Sequence, residues 1–220
     1  MTPKSKLTRR SPKAERAPEI YRRLARAYPD AHCALDFTDP FQLTVATILS
    51  AQCTDKRVNM VTPELFRRYP APADLAAADP ADVEAIIKST GFFRAKTKSL
   101  IGMATAVDEK HGGKIPADMD SLVALPGVGR KTANVVLGNA FDTNEGVVVD
   151  THVTRVSQRL ALTRRTDPVK IEQDLIKLFP RESWTMLSHL FIEHGRQICV
   201  ARTPKCESCP LSDICPSSRV

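Results

Sequence analysis

Lys131 and Asp150, in the middle of the chain, are residue types that can do chemistry together. Lys131 directly follows the stretch LPGVGR, and Asp150 ends the apolar run VVVD 19 residues later. A lysine amine that has lost its proton is a nucleophile, and a carboxylate can accept a proton or stabilise a positive charge. Simpler interpretations also exist, because Lys131 could be a surface charge or phosphate clamp and Asp150 a helix cap. The sequence motifs around both residues distinguish between these interpretations.

Gly127 and Gly129 lie where two helices are expected to meet. Residues 118–125 and 132–141 each carry apolar side chains at helical spacing. The first N–H groups of a helix lack internal partners and lie at the positive end of its dipole, so a phosphate binds there readily. A nucleotide P-loop is excluded, because the spacing G-x-x-x-x-G-K-S/T is not met. The stretch predicts a helical hairpin that grips a phosphodiester through its backbone, and an ordinary corner between helices is the alternative.

Four of the six cysteines crowd the last 22 residues. Their spacing is Cys199-x6-Cys206-x2-Cys209-x5-Cys215. The N-terminus lacks the apolar core of a secretory signal, so a metal centre is expected here rather than a disulfide framework. Four thiolates suit either a zinc ion or an iron–sulfur cluster, and the spacing alone leaves both open.

The composition predicts a helical protein with an anionic partner. Its 220 residues carry a formal charge of +7, and residues 1–17 hold six Lys or Arg against one Glu, a net +5. That segment is expected to be a disordered, solvated tail, with a nucleic-acid-binding arm as the alternative. No apolar stretch approaches the roughly 20 residues that span a bilayer. Apolar periodicity predicts helices at about 18–28, 41–52, 55–68, 80–89, 94–110, 129–141, 150–161, 168–178 and 183–197.

Five motifs in order resemble the endonuclease III family of DNA glycosylases and abasic-site lyases, which carry a helix-hairpin-helix motif. They are LSAQCTD, GFFRAK, LPGVGRKTANVVL, VVVDTHVTRV and the four cysteines, all within residues 40–215. The resemblance implies an all-α fold of two helical domains with a DNA-binding cleft between them. One domain would be a helical barrel of residues 33–143 with the hairpin motif at about 119–141. The other would join residues 18–32 to 144–220 and hold the iron–sulfur cluster loop.

The same resemblance implies a bifunctional enzyme of base excision repair. It would remove oxidised pyrimidines from duplex DNA, with Lys131 as the nucleophile that forms a Schiff base and Asp150 as its partner. Strand cleavage 3′ to the abasic site would follow by β-elimination. A 4Fe-4S cluster would be bound by Cys199, Cys206, Cys209 and Cys215. The expected protein is a cytoplasmic monomer, nucleoid-associated if bacterial, with no membrane contact.

DNA contacts are also implied, because the target base must be flipped out of the duplex and the gap filled. Gln52 matches the residue that enters the vacated space, and Phe92 falls where some members carry an aliphatic wedge, a departure that affects substrate details. The other expected DNA contacts are Leu125, Gly127, Val128, Gly129, Arg130, Thr132, Arg202 and Lys205. Asp55 and His152 are weaker candidates for the pocket or its support.

Two alternatives to this function remain at the level of sequence. A monofunctional adenine glycosylase specific for mismatches shares the fold and the cluster but lacks a lysine at the position of Lys131. A non-catalytic iron–sulfur module that binds DNA would need neither Lys131 nor Asp150. The presence of both residues favours the bifunctional enzyme.

Overall fold

All regular secondary structure in residues 7–220, the part of the chain that the computed structural model describes, is helical. The all-α prediction is therefore confirmed. None of these helices has the length and apolar character needed to cross a membrane. The α-helices are α1 (Lys13–Ala27), α2 (Pro40–Leu49), α3 (Asp55–Arg68), α4 (Pro72–Ala76), α5 (Pro80–Ile87), α6 (Phe93–His111), α7 (Met119–Val123), α8 (Arg130–Ala140), α9 (Thr151–Arg159), α10 (Pro168–Ile176) and α11 (Trp184–Gln197). Short 3-10 turns occupy Lys88–Thr90, Arg181–Ser183 and Cys206–Ser208.

The dipeptide Asp-Pro begins three of the helices, α2, α5 and α10. The aspartate carboxylate accepts a hydrogen bond from a free N–H of the first turn, at 2.9 Å for Asp39, 2.8 Å for Asp79 and 3.0 Å for Asp167. The proline that follows needs no N–H partner and already has a helical φ angle. Local sequence therefore fixes where these helices start.

Residues 33–143 form one compact unit around α2. Eight of the ten α2 residues, from Phe41 to Leu49 except Gln42, are buried, and α2 packs against α3, α6 and α8. The hydroxyls of Thr44 and Thr47 donate to the carbonyls of Pro40 and Leu43, which satisfies them without a partner outside the helix. Helix α2 is therefore buried on nearly all sides, as is typical of a central helix.

The second unit joins the segment before Cys33 to residues 144–220. Helices α1 and α9 both pack against α11 around a core of aliphatic side chains and Phe191. The run Val147–Val149 is buried and has no regular secondary structure, and within residues 7–220 it pairs with no strand. Instead the N–H of Val148 donates to the hydroxyl of Ser188 at 2.9 Å. A segment with a strand-like sequence can therefore lie among helices, because a helix side chain supplies the hydrogen-bond partner that a neighbouring strand would give.

Helix α1 begins at Lys13, inside the segment expected to be a disordered tail, and that expectation is wrong for this part. Arg16 is buried, and its guanidinium donates to the carbonyls of Leu160 at 2.8 Å and Ile214 at 3.3 Å. Its charge therefore serves the fold, because it satisfies carbonyls that come from distant parts of the chain. Residues 1–6 of the predicted tail lie outside the described part.

Candidate functional site

The segment between α7 and α8 is a tight turn whose geometry demands Gly127. The N–H of Val128 donates to the carbonyl of Leu125 at 3.1 Å, and Gly127 has a φ angle of 77°. Proline at the second position and a positive φ at the third define a type II turn. A Cβ atom on Gly127 would lie 2.6 Å from the Cβ of Ser99 in α6. Both the backbone angle and the close approach of α6 therefore require glycine at this position.

Gly129 differs from Gly127, because the fold does not require it. Its φ of −92° and ψ of 173° are open to any residue, and a Cβ atom built there would have no atom within 4 Å. It is the N-cap of α8, yet it supplies no side-chain cap. Within the described part of the chain, no backbone carbonyl accepts a hydrogen bond from the N–H of Gly127 or Gly129. The exposed backbone here is thus available to a ligand that comes from outside.

The side chains of Leu125 and Val128 are 4% and 5% exposed and belong to the core of residues 33–143. Of the DNA contacts expected in the hairpin, these two can therefore take part only through their backbone. Thr132 is half-buried and Arg130 is exposed. A hairpin that presents backbone rather than apolar side chains suits a phosphodiester and reads no base.

Lys131 is exposed in the first turn of α8. That turn contains no acidic residue, and Arg130 precedes Lys131. The positive end of the helix dipole favours carboxylates and disfavours cations, so two cations at this end do not stabilise the helix. An anionic ligand at the hairpin would be attracted both by the helix dipole and by the exposed Lys131.

Gln52 and Phe92 share an unusual backbone conformation. Their φ angles are 52° and 48°, in the left-handed region that side chains other than glycine rarely adopt. Both are exposed, and Phe92 is 67% exposed, so its ring lies outside the core. Strained backbone together with an exposed large apolar side chain costs free energy in the isolated protein.

Asp150 is the N-cap of α9, and its carboxylate accepts a hydrogen bond from the N–H of Val153 at 2.8 Å. It is half-buried and belongs to the unit that contains residues 144–220, whereas Lys131 belongs to the other unit. His152 packs against Gly195 of α11, where an added Cβ would lie 2.9 Å from the His152 Cβ. Asp55 is partly buried in the first turn of α3.

The four C-terminal cysteines line one cavity together with Arg159 and His194. Arg159 donates to the Sγ atom of Cys199 at 3.3 Å, and the N–H of Leu211 donates to that of Cys209 at 3.4 Å. Such donors stabilise sulfur ligands that carry negative charge. Within residues 7–220, no three metal-ligating side chains are grouped as one metal ion would need. Four cysteine thiolates around one cavity are the ligand set that a 4Fe-4S cluster uses.

Burial of the cysteines makes the bare thiolates unfavourable. It raises the pKa of Cys209 to about 11, aided by the neighbouring cysteines, and it also raises the pKa of Cys215. A cationic centre that displaces the protons would offset this cost.

The loop after Cys199 is held by Arg159 of α9, which donates to the carbonyls of Val200 at 2.8 Å and Ala201 at 2.6 Å. Arg202 and Lys205 are exposed on this loop, as expected for phosphate contacts.

Comparison with known proteins gives consistent matches along the chain. Residues 45–181 match the family described as HhH-GPD superfamily base excision DNA repair protein, and residues 199–215 match the iron–sulfur binding domain of endonuclease III. Endonuclease III of Synechocystis sp. is 52% identical over 215 residues, which are 98% of each chain. That of Bacillus subtilis is 45% identical over 189 residues, 86% of each chain. A solved structure of a trapped endonuclease III–DNA covalent intermediate is 41% identical, with a TM-score of 0.88 over 93% of this chain and 96% of the other.

Proposed function

This chain belongs to the endonuclease III family of base excision DNA repair glycosylases, and we propose that it removes oxidised pyrimidines from duplex DNA and then cleaves the strand 3′ to the abasic site. The single observation that carries the lyase step is the position of Lys131. It is exposed in the first turn of α8, two residues after the open backbone of Gly129. A phosphate bound at this helix end would bring the adjacent sugar close to the amine. The covalent intermediate trapped between a relative and DNA supports such a route.

The chemistry that we propose for Lys131 runs through a Schiff base. The neutral amine attacks C1′ of the damaged nucleotide, and the C1′–N bond breaks as the base leaves with the bonding electrons. Ring opening gives an iminium ion, which acidifies the C2′ proton. Removal of that proton expels the 3′ phosphate by β-elimination, and water then releases Lys131. The Asp150 carboxylate either accepts the amine proton or stabilises the positive sugar, and both roles need its negative charge.

Gln52 and Phe92 are proposed to fill the gap that the flipped base leaves. Extrusion of a base costs a few kcal/mol, and side chains that replace the lost stacking and hydrogen bonds offset this cost. The exposed ring of Phe92 can stack on a base, and the Gln52 amide can both donate to and accept from the unpaired base. Their strained, exposed conformation in the free protein supports this role.

The cofactor of the chain is a 4Fe-4S cluster. We propose Cys199, Cys206, Cys209 and Cys215 as its ligands, since they begin and end the matched segment and line one cavity. When bound, the cluster supplies four iron–thiolate bonds that cross-link the C-terminal segment. Arg202 and Lys205 would then bind phosphates of duplex DNA from a fixed loop. The proposal includes a monomeric protein in the cytoplasm, associated with the nucleoid if the source is bacterial.

A duplex with one thymine glycol tests the proposed reaction. The cluster-loaded protein should release the base and leave a 3′ unsaturated aldehyde, the product of β-elimination. Lys131→Ala should lose strand cleavage, whereas Lys170→Ala, another exposed lysine in the first turn of a helix, should retain it. Base release with an intact strand would indicate a monofunctional glycosylase. Binding without base release would overturn the enzymatic proposal for this substrate.

A further inference from the structure

Lys96 in α6 is a buried lysine that sequence reasoning did not single out. It is 5% exposed, and its Nζ atom donates to the carbonyls of Leu49 and Thr90, each at 2.8 Å. Lysine is rarely buried unless its charge is compensated. The cost of burying this ammonium group indicates that the two contacts matter to the protein.

Both acceptors lie at the C-terminal end of a helical segment. Leu49 is the last residue of α2, and Thr90 is the last residue of the 3-10 turn Lys88–Thr90. Terminal carbonyls of a helix have no internal partner and carry the negative end of its dipole. One ammonium group therefore satisfies both ends with charge-assisted hydrogen bonds, which are stronger than neutral ones.

Each acceptor also lies just before a strained, exposed residue. Leu49 precedes Gln52 by three residues, and Thr90 precedes Phe92 by two. In addition, the backbone N–H of Lys96 donates to the carbonyl of Phe92 at 3.0 Å. The side chain of Lys96 thus contacts the starts of both loops, whereas its bond to Phe92 is the first main-chain hydrogen bond of α6.

Helix α6 also supports the hairpin. Ser99 lies three residues after Lys96, and its side chain occupies the space that a Cβ on Gly127 would need. Gly102, one turn further, packs against Pro126, since a Cβ there would lie 3.3 Å from the proline ring. One rigid helix therefore contacts the two loops and the turn of the hairpin.

We propose that Lys96 is a positioning residue, which ties the Gln52 and Phe92 loops together so that both side chains are pre-set to enter the gap left by a flipped base. This rests on the proposed function of Gln52 and Phe92. Pre-organisation matters because a misplacement of about 1 Å can cost on the order of 100-fold in rate. Without the ammonium group, the two loops would lose their shared hydrogen-bond donor. The side chains of Gln52 and Phe92 would then become ordered only on binding DNA, which costs entropy.

The variant Lys96→Met tests the proposal, because it keeps most of the aliphatic stem and removes the donors. The matched control is Lys110→Met, an exposed lysine in the last turn of the same helix, about 21 Å away at 1.5 Å per residue. The probe is a duplex with a stable abasic analogue opposite 2-aminopurine, whose fluorescence reports the environment of the unpaired base. Affinity for an undamaged duplex is measured in parallel.

Lys96→Met should reduce the fluorescence response to a small part of the wild-type value and slow single-turnover base release from thymine glycol by roughly tenfold or more. Its affinity for the undamaged duplex should stay within about twofold, because the hairpin is intact. In a Gln52→Ala, Phe92→Ala background, the further effect of Lys96→Met should fall to about twofold or less. Lys110→Met should match the wild type throughout.

A wild-type fluorescence response in folded, cluster-loaded Lys96→Met would overturn the proposal. The proposal would also be overturned if Lys96→Met slowed base release by the same factor in the Gln52→Ala, Phe92→Ala background as in the wild type. Such a result would indicate a purely structural role for Lys96. If Lys96→Met does not fold, Lys96→Leu, which also lacks the donors, is judged by the same two criteria. The fluorescence assay involves no reaction, so failure of the proposed chemistry is distinguishable from failure of the Lys96 assignment.

Discussion

Replacing Gly129 with alanine tests whether this glycine serves the stability of the fold or the binding of DNA. The built Cβ at Gly129 meets nothing within 4 Å, and its φ of −92° suits any residue. Alanine lowers the entropy of the unfolded chain, a gain of about 0.4–1 kcal/mol, but is a poorer N-cap than glycine by a similar amount. The free energy of unfolding should therefore change by no more than about 0.5 kcal/mol.

Gly127→Ala is the matched comparison in the same turn. A positive φ costs a residue with a Cβ roughly 1–2 kcal/mol. The new methyl group, 2.6 Å from the Cβ of Ser99, forces a shift that costs about 1–3 kcal/mol more. This variant should therefore be destabilised by about 2–5 kcal/mol, as measured by denaturant unfolding.

For Gly129→Ala, the affinity for DNA should fall although the stability of the protein does not. A methyl group between the hairpin and a phosphate removes about one charge-assisted hydrogen bond, which is worth about 1.5–3 kcal/mol. Gly129→Ala should then bind duplex DNA roughly 10–100-fold more weakly at fixed salt, with wild-type stability. Fluorescence anisotropy gives the affinity. Wild-type affinity in Gly129→Ala, or a loss of stability as large as that of Gly127→Ala, would refute the assignment of this backbone to phosphate.

Three other predictions concern the cluster, the pH dependence of stability and the wedge. Arg159→Met removes donors to Cys199, Val200 and Ala201, so the iron–sulfur absorbance should decay faster under oxidation than in the wild type; an equal decay would contradict this. Burial lowers the pKa of His189 to about 4, so the unfolded chain binds a proton first, and stability should fall from about pH 6.5 towards pH 4. Between pH 7.5 and pH 5 this contribution is at most about 2 kcal/mol, so His189→Gln should reduce the loss of stability by up to that amount in urea unfolding, and an unchanged loss would count against it. Phe92→Ala should leave stability within about 0.5 kcal/mol, since the ring is 67% exposed, and should slow base release from duplex but not from single-stranded substrate.

The parts of this account that the sequence could predict are those set by local chemistry. Asp-Pro marks helix starts because both residues act within one turn. The LPGVG stretch predicts a hairpin because proline and glycine determine the turn locally, and the cysteine spacing predicts a metal centre. Each of these signals spans at most about 20 residues of the chain.

The parts that could not be predicted depend on contacts between distant residues. In the sequence, Arg16 is one of several charges in a basic segment. Its burial could not be predicted, because the carbonyls that accept its hydrogen bonds belong to Leu160 and Ile214. The sequence around Lys96 gives no sign that this lysine is buried. Its acceptor at Leu49 lies 47 residues away, so only the folded chain brings the two together. The left-handed backbone of Gln52 has no sequence signal either, since glutamine has no preference for that region.

The central claim is that Lys131 attacks the sugar, and borohydride trapping tests it most directly. Borohydride reduces a Schiff base to a stable amine, so the cluster-loaded protein mixed with a thymine-glycol duplex should yield a covalent protein–DNA adduct. Peptide mapping should place the adduct on Lys131, and Lys131→Ala should give none. An adduct on another residue, or base release from the wild type without any adduct, would contradict the claim.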